Sequence, residues 1–195
     1  MSFLLGLTGS IGMGKSTTAQ MFRERGCPVW DADQVVHELY GPGGAAVAPV
    51  ARLFPSALVD GGIDRAELKS CIARDPDALT RLESVVHPIV AAHRDEFIRS
   101  HGDAGLIVLD IPLLFEGNMA QRCDGVAVVS TDAETQKARV MARPGMTEET
   151  FRMILSRQIP DAEKRARADW IIPTDTLDGA QQAIDAICQE IEQNA

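Results

Sequence analysis

Of all parts of the chain, the stretch from Gly6 to Thr17, GLTGSIGMGKST, most constrains what it can fold into. Gly9 to Ser16 satisfy G-x-x-x-x-G-K-[ST], with the apolar run Phe3 to Leu7 before them. A helical pattern follows from Lys15 to Arg25 and is stopped by Gly26. Strand, glycine loop and helix in that order turn backbone N–H groups inward around phosphates, at the positive end of the helix. Gly9, Gly12 and Gly14 permit that turn, and Met13 sits among them. Lys15 is placed for the β and γ phosphates, Ser16 for Mg²⁺, and Thr17, one residue into the helix, for the α-phosphate. The loop therefore predicts ATP or a related triphosphate with Mg²⁺, and leaves open whether the phosphate passes to water or to another molecule.

The remaining elements alternate. PVWDAD is a short strand with Asp31 and Asp33 at its carboxyl end. Gly105 to Ile111 and Gly125 to Ser130 are near-continuous apolar strands, and Trp170 to Ile172 is a fifth. Thr131 and Asp132 are potential caps of a helix through TDAETQKARVMAR. Leu177 to Ile191 form a last helix, with Ala183, Ile184, Ile187 and Ile191 on one side. Strands buried on both faces and separated by helices imply a five-stranded parallel sheet in an α/β fold. Between Asp33 and Gly102 no strong strand signal occurs, only helical patterns broken by prolines and glycines such as Pro42, Pro55, Gly61 and Pro76. That region reads as a helical lobe inserted between two sheet strands.

The bulk properties restrict the partners. The 195 residues, 45% hydrophobic and 24% charged, are those of an ordinary globular protein. A net charge of −9 argues against nucleic acid. No apolar run is long enough for a membrane span, and MSFLLGLTG lacks the basic start of a signal peptide. Cys27, Cys71, Cys123 and Cys188 are scattered without a C-x-x-C pair and read as free thiols in the cytoplasm. Lys137 to Arg167 is basic against this acidic background, carrying Lys137, Arg139, Arg143, Arg152, Arg157, Lys164, Arg165 and Arg167. Such a run is either a solvated helix face or a phosphate clamp.

Several side chains are candidates for the chemistry. Asp31 and Asp33 lie where ligands sit in an open α/β sheet; either can accept a proton, hold Mg²⁺ through water or simply cap the next helix. Asp110, ending GLIVLD, is an acid on an apolar strand, suited to Mg²⁺ through water or to a strand-end hydrogen bond. His87 precedes Pro88, which can open a helix, so capping or packing is its plain alternative. Arg139 and Arg143 stand four apart, which predicts one helix face.

GLTGSIGMGKST, PVWDADQVVHEL, GGIDRAEL, VVHPIV, DIPLLFE, CDGVAVV, TQKARVMAR and RADWII follow in this order. Together they resemble the dephospho-CoA kinase family from Leu5 to about Ile172. The resemblance implies ATP-dependent phosphorylation of the ribose 3′-hydroxyl of dephospho-CoA, the last step of coenzyme A synthesis. It also implies a P-loop, nucleoside-monophosphate-kinase-like fold. The core would be 1–33, 105–136 and 168–195, the CoA-binding helical lobe 34–104, and a small helical lid 137–167. By the same likeness Asp33 is the base that orients the hydroxyl, Arg139 and Arg143 are lid arginines, and His87, Leu113 and Leu114 lie on the acceptor side. Catalysis would then rest on Asp33, Lys15 and Arg143, with ATP, dephospho-CoA and Mg²⁺ as the only partners expected and no obligate protein partner.

The chain departs from the family pattern at Ser10 and Met13 in the loop, at Val36 and His37 where alanine and arginine are frequent, and at Pro173-Thr174 in place of an asparagine. A guanine reader would need Asn-Lys-x-Asp, and neither Asn118 nor Asn194 precedes lysine. A kinase for another small acceptor, a nucleoside monophosphate or shikimate, is the remaining alternative.

Overall fold

A computed structural model of the chain describes residues 2–117 and 119–194. It divides into two compact units, Met1–Trp30 with His101–Ala195, and Asp31–Ser100. In chain order the first elements are β1 (Phe3–Thr8), α1 (Lys15–Glu24), β2 (Val29–Asp31), α2 (Ala32–Tyr40) and α3 (Val47–Leu53). A short hairpin of β3 (Leu58–Val59) and β4 (Gly62–Ile63) follows, then α4 (Arg65–Arg74) and the long α5 (Ala78–Ser100). The chain continues with β5 (Leu106–Asp110), β6 (Gly125–Ser130), α6 (Ala133–Met141), α7 (Glu148–Leu155), α8 (Asp161–Ala166), β7 (Trp170–Pro173) and α9 (Leu177–Asn194).

Five strands form one sheet in the order β2-β5-β1-β6-β7, and β1 pairs in parallel with both β5 and β6. The period-two alternation of a strand explains how both faces are covered. Leu5, Leu7, Ala127 and Val129 point to one face, where they meet Ala19 and Phe22 of α1 and Ile184, Ile187 and Ile191 of α9. Val126 and Val128 point to the other, against Leu114, Phe115, Ile159 and Ala168. Gly6 also lies on that second face: a Cβ there would come within 2.8 Å of Leu114. The resulting fold is the α/β, P-loop-kinase-like architecture expected from the sequence.

Three local expectations are corrected. The helical lobe contains the hairpin β3–β4, turned by Asp60 (φ 49°) and Gly61 (φ 79°). Asp-Gly flanked by apolar residues is itself a hairpin signal, because both turn positions need positive φ. Pro88 does not open a helix but lies inside α5, so His87 caps nothing and stands exposed on the helix surface. Finally, α6 ends at Met141, before Arg143. Pro144 disfavours a helical conformation for the residue before it, and Gly145 follows at φ 73°, so Arg139 and Arg143 do not share a helix face.

Candidate active site

The phosphate loop runs from the end of β1 into α1. Gly12 (φ 80°) and Gly14 (φ 89°) adopt the left-handed backbone that other residues avoid. A Cβ on Gly12 would also stand 2.5 Å from Val140 Cγ2. Gly9 is equally confined, by Val129 Cγ2 at 2.3 Å from such a carbon. Gly14 is the N-cap of α1 and offers no side chain to the first-turn N–H groups, and no acidic residue lies in that turn. These donors and the helix dipole are therefore open to an anion, with Ser16 and Thr17 exposed among them. Met13 contributes to the loop's shape. Its side chain is buried in the core, its N–H donates to Ser10 O at 3.1 Å, and its sulfur accepts the Thr131 N–H.

Lys15 Nζ forms an ion pair with Asp110 Oδ1 at the end of β5. Asp110 is 1% exposed, so the pair couples the loop to the neighbouring strand away from bulk water. The Ser16 hydroxyl and the Asp110 carboxylate are hard oxygen donors, the kind that Mg²⁺ takes. Among the described residues no cluster of three or more His, Cys, Asp or Glu could hold a metal.

The basic segment is largely committed to ion pairs. Lys137 and Arg152 both reach Glu148, Arg165 reaches Asp161, and Arg167 reaches Glu163 and lies 4.6 Å from the centre of the Phe115 ring. Arg139 donates to Thr174 O at 2.7 Å and Thr174 Oγ1 at 3.2 Å. Arg143 is exposed and, among the described residues, pairs with no carboxylate. It is the guanidinium of the two that remains available for phosphate.

Within the unit Asp31–Ser100, the structure separates the two aspartates that the sequence could not. Asp31 (φ −107°, ψ 112°) is the N-cap of α2, its carboxylate accepting the N–H groups of Asp33 and Gln34, each at 3.0 Å. Asp33 lies in the first turn, exposed. One turn further along α2, His37 lines a cavity of about 350 Å³ together with Tyr40, Asp60, Ile63, Asp64 and Arg65. The Arg65 guanidinium sits 5.9 Å from the centre of the Tyr40 ring. Asp33 and His37, four residues apart, point from the same side of the helix.

Leu113 and Leu114 occupy the turn after β5 and have opposite fates. Leu113 is 49% exposed, whereas Leu114 is wholly buried in the second core cluster. Direct contact with a ligand is thus open to Leu113 only, and Leu114 acts by packing.

Several residues at the site carry no motif. Thr174, buried after β7, donates to Met13 O at 2.8 Å and lies 3.1 Å from where a Gly14 Cβ would stand. It braces the loop. Gln136 donates to Ile11 O at 2.8 Å, and Gln158 accepts the Ile11 N–H at 3.1 Å. Amides have too many ordinary roles for sequence to reveal these contacts. Lys164, one of the basic run, is 0% exposed and pairs with Glu116 at 2.9 Å.

Burial pushes the Glu116 carboxyl up, but the paired Lys164 ammonium and the Ile159 N–H hydrogen bond outweigh it and hold the group below its ordinary value. A carboxyl depressed in the folded state stabilises the protein above its unfolded pKa, about 4.3, and that stabilisation is lost as pH falls through the folded value. Urea midpoints of Glu116→Gln are therefore expected to fall less steeply below about pH 5 than those of the unaltered chain, and to be lower at neutral pH. Parallel acid limbs in the two proteins would contradict this.

Comparison with known proteins gives a consistent picture. The family model described as dephospho-CoA kinase matches residues 3–178. The chain is 58% identical to a dephospho-CoA kinase of Jannaschia sp. (strain CCS1), over 94% of each chain. A solved protein of Thermus thermophilus superposes with a TM-score of 0.85 at 36% identity, covering 97% of both chains. The dephospho-CoA kinase of Campylobacter jejuni gives a TM-score of 0.67 at 25% identity, again over 97% of both.

Proposed function

The chain belongs to the dephospho-CoA kinase family, which transfers the ATP γ-phosphate to the ribose 3′-hydroxyl of dephospho-CoA, and we propose that Asp33, Lys15 and Arg143 carry that reaction here. The observation that supports this assignment most is the division of labour at the start of α2. Asp31 is engaged as the cap, and Asp33 is exposed and able to accept the hydrogen bond of an incoming hydroxyl. Lys15 and the open first-turn N–H groups of α1 hold the β and γ phosphates. Arg143 closes over the transferred group from the lid, 137–167, and neutralises the charge that spreads over its oxygens. Exclusion of water by that closure keeps ATP from being hydrolysed without transfer.

The lobe 34–104 receives the acceptor. The cavity beside His37 lies on Asp33's side of α2 and has aromatic, cationic and acidic walls. Leu113 adds apolar contact to the acceptor, and exposed His87 lies on the acceptor lobe. Mg²⁺ fits Ser16, with Asp110 or Asp33 acting through water, and when bound it lowers the negative charge of the triphosphate. ATP and dephospho-CoA suffice as partners; the net charge of −9 disfavours nucleic acid. The free cysteines suit the reducing cytoplasm, and among the described residues no helix is long and apolar enough to cross a membrane. Chelation by EDTA is expected to abolish dephospho-CoA turnover and excess Mg²⁺ to restore it. Undiminished turnover in EDTA would remove the metal from this reading.

A further inference from the structure

Gln158, Asp161 and Lys164 are spaced three apart at the C-terminal root of the basic segment, and each holds a different loop of the nucleotide unit. Gln158 Oε1 accepts the N–H of Ile11, inside the phosphate loop after β1, at 3.1 Å. Asp161 Oδ2 accepts the hydroxyl of Ser130, at the end of β6, at 2.9 Å. Lys164 pairs with Glu116, in the turn after β5, at 2.9 Å. β5, β1 and β6 are neighbours in the sheet, so the row crosses the carboxyl edge where an open α/β sheet receives its ligands. Both backbone polar groups of Ile11 are held, since Gln136 Nε2 donates to its carbonyl, in the next peptide, at 2.8 Å. Ile11 immediately precedes Gly12, whose left-handed backbone sets the inward turn of the loop.

We propose that Gln158 is a positioning residue for ATP. It fixes the Ile11 peptide so that the phosphate-binding N–H groups are preorganised, while Asp161 and Lys164 anchor the same segment to the sheet. This rests on the reading of 137–167 as a lid: the lid's root is fixed to the phosphate loop, and its motion is confined to residues upstream of Gln158. A loop that is preset in this way binds triphosphate without first paying the entropy of ordering its own backbone. The amide touches no reacting atom and acts only through the peptide it holds.

The test is ATP affinity, titrated without acceptor, so that it stands whatever the acceptor proves to be. Gln158→Met, an apolar near-isostere, is expected to weaken ATP binding about tenfold, the scale of one lost hydrogen bond. The KM for dephospho-CoA should stay within about twofold, kcat at saturating ATP within about threefold, and the thermal midpoint within about 2 °C. Gln158→Asn, which withdraws the oxygen by one methylene, reads the same split if the Met variant folds poorly. Because Gln136→Leu releases the carbonyl of the same residue, Ile11, the double variant should lose less than the product of the two single losses. Unchanged ATP affinity, losses that simply multiply, or equal loss towards both substrates with a lowered midpoint would each overturn the proposal.

Discussion

Replacing Asp33 by asparagine is expected to lower turnover about 100-fold or more while ATP affinity stays within about twofold, the scale of a lost general base. The substitution keeps size and shape and removes only the charge that polarises the acceptor hydroxyl. Asp33 is exposed, and the cap of α2 belongs to Asp31, so the helix should not notice the change. Asp31→Asn is the matched control. Asparagine caps a helix about as well as aspartate, so activity and stability should both change little. Steady-state rates with both substrates, together with ATP titration, separate the outcomes. A fully active Asp33→Asn would remove this residue from the mechanism, and a strong loss in Asp31→Asn alone would move the role to its neighbour.

Lys15→Met has the second large effect, and it reaches stability as well as activity. Loss of the ammonium takes the cation from the β and γ phosphates, so ATP affinity and turnover together should fall on the order of 100-fold or more. It also takes the cation from Asp110, whose carboxylate is 1% exposed. Removing one partner of a buried pair costs about 3–5 kcal/mol, because the remaining charge stays out of water. Adding Asp110→Asn should recover much of that stability and none of the activity. Denaturation midpoints of the two variants check the first half, and assays the second. A single variant as stable as the unaltered chain would show that the pair contributes nothing to the fold.

The parts of this site that could be read from sequence were those in which local chemistry admits few alternatives. A glycine loop between an apolar strand and a helix turns its backbone inward, and Gly12 and Gly14 adopt the positive φ that such a turn needs. The continuous apolar runs of β5 and β6 could only be strands covered on both faces. Where two local solutions compete, the sequence did not choose. Asp31 and Asp33 both stand at capping distance from α2, and only the extended backbone at Asp31 decides. His87-Pro88 resembled a helix start, whereas α5 continues through the proline.

The basic segment is instructive for another reason. A run of arginines and lysines suggested one shared task, but its members divide among surface ion pairs, a brace on Thr174, a buried pair with Glu116 and the exposed Arg143 and Arg157. That division depends on carboxylates far away in sequence. Gln136 and Gln158 lay beyond sequence reading altogether, because the Ile11 backbone they hold becomes their neighbour only in the folded chain.

The most direct test of the central claim is ATP consumption measured with dephospho-CoA, AMP and shikimate offered separately. One ADP per coenzyme A formed is expected with dephospho-CoA, and only background hydrolysis with AMP or shikimate. Turnover confined to AMP or shikimate would contradict the assignment of the acceptor.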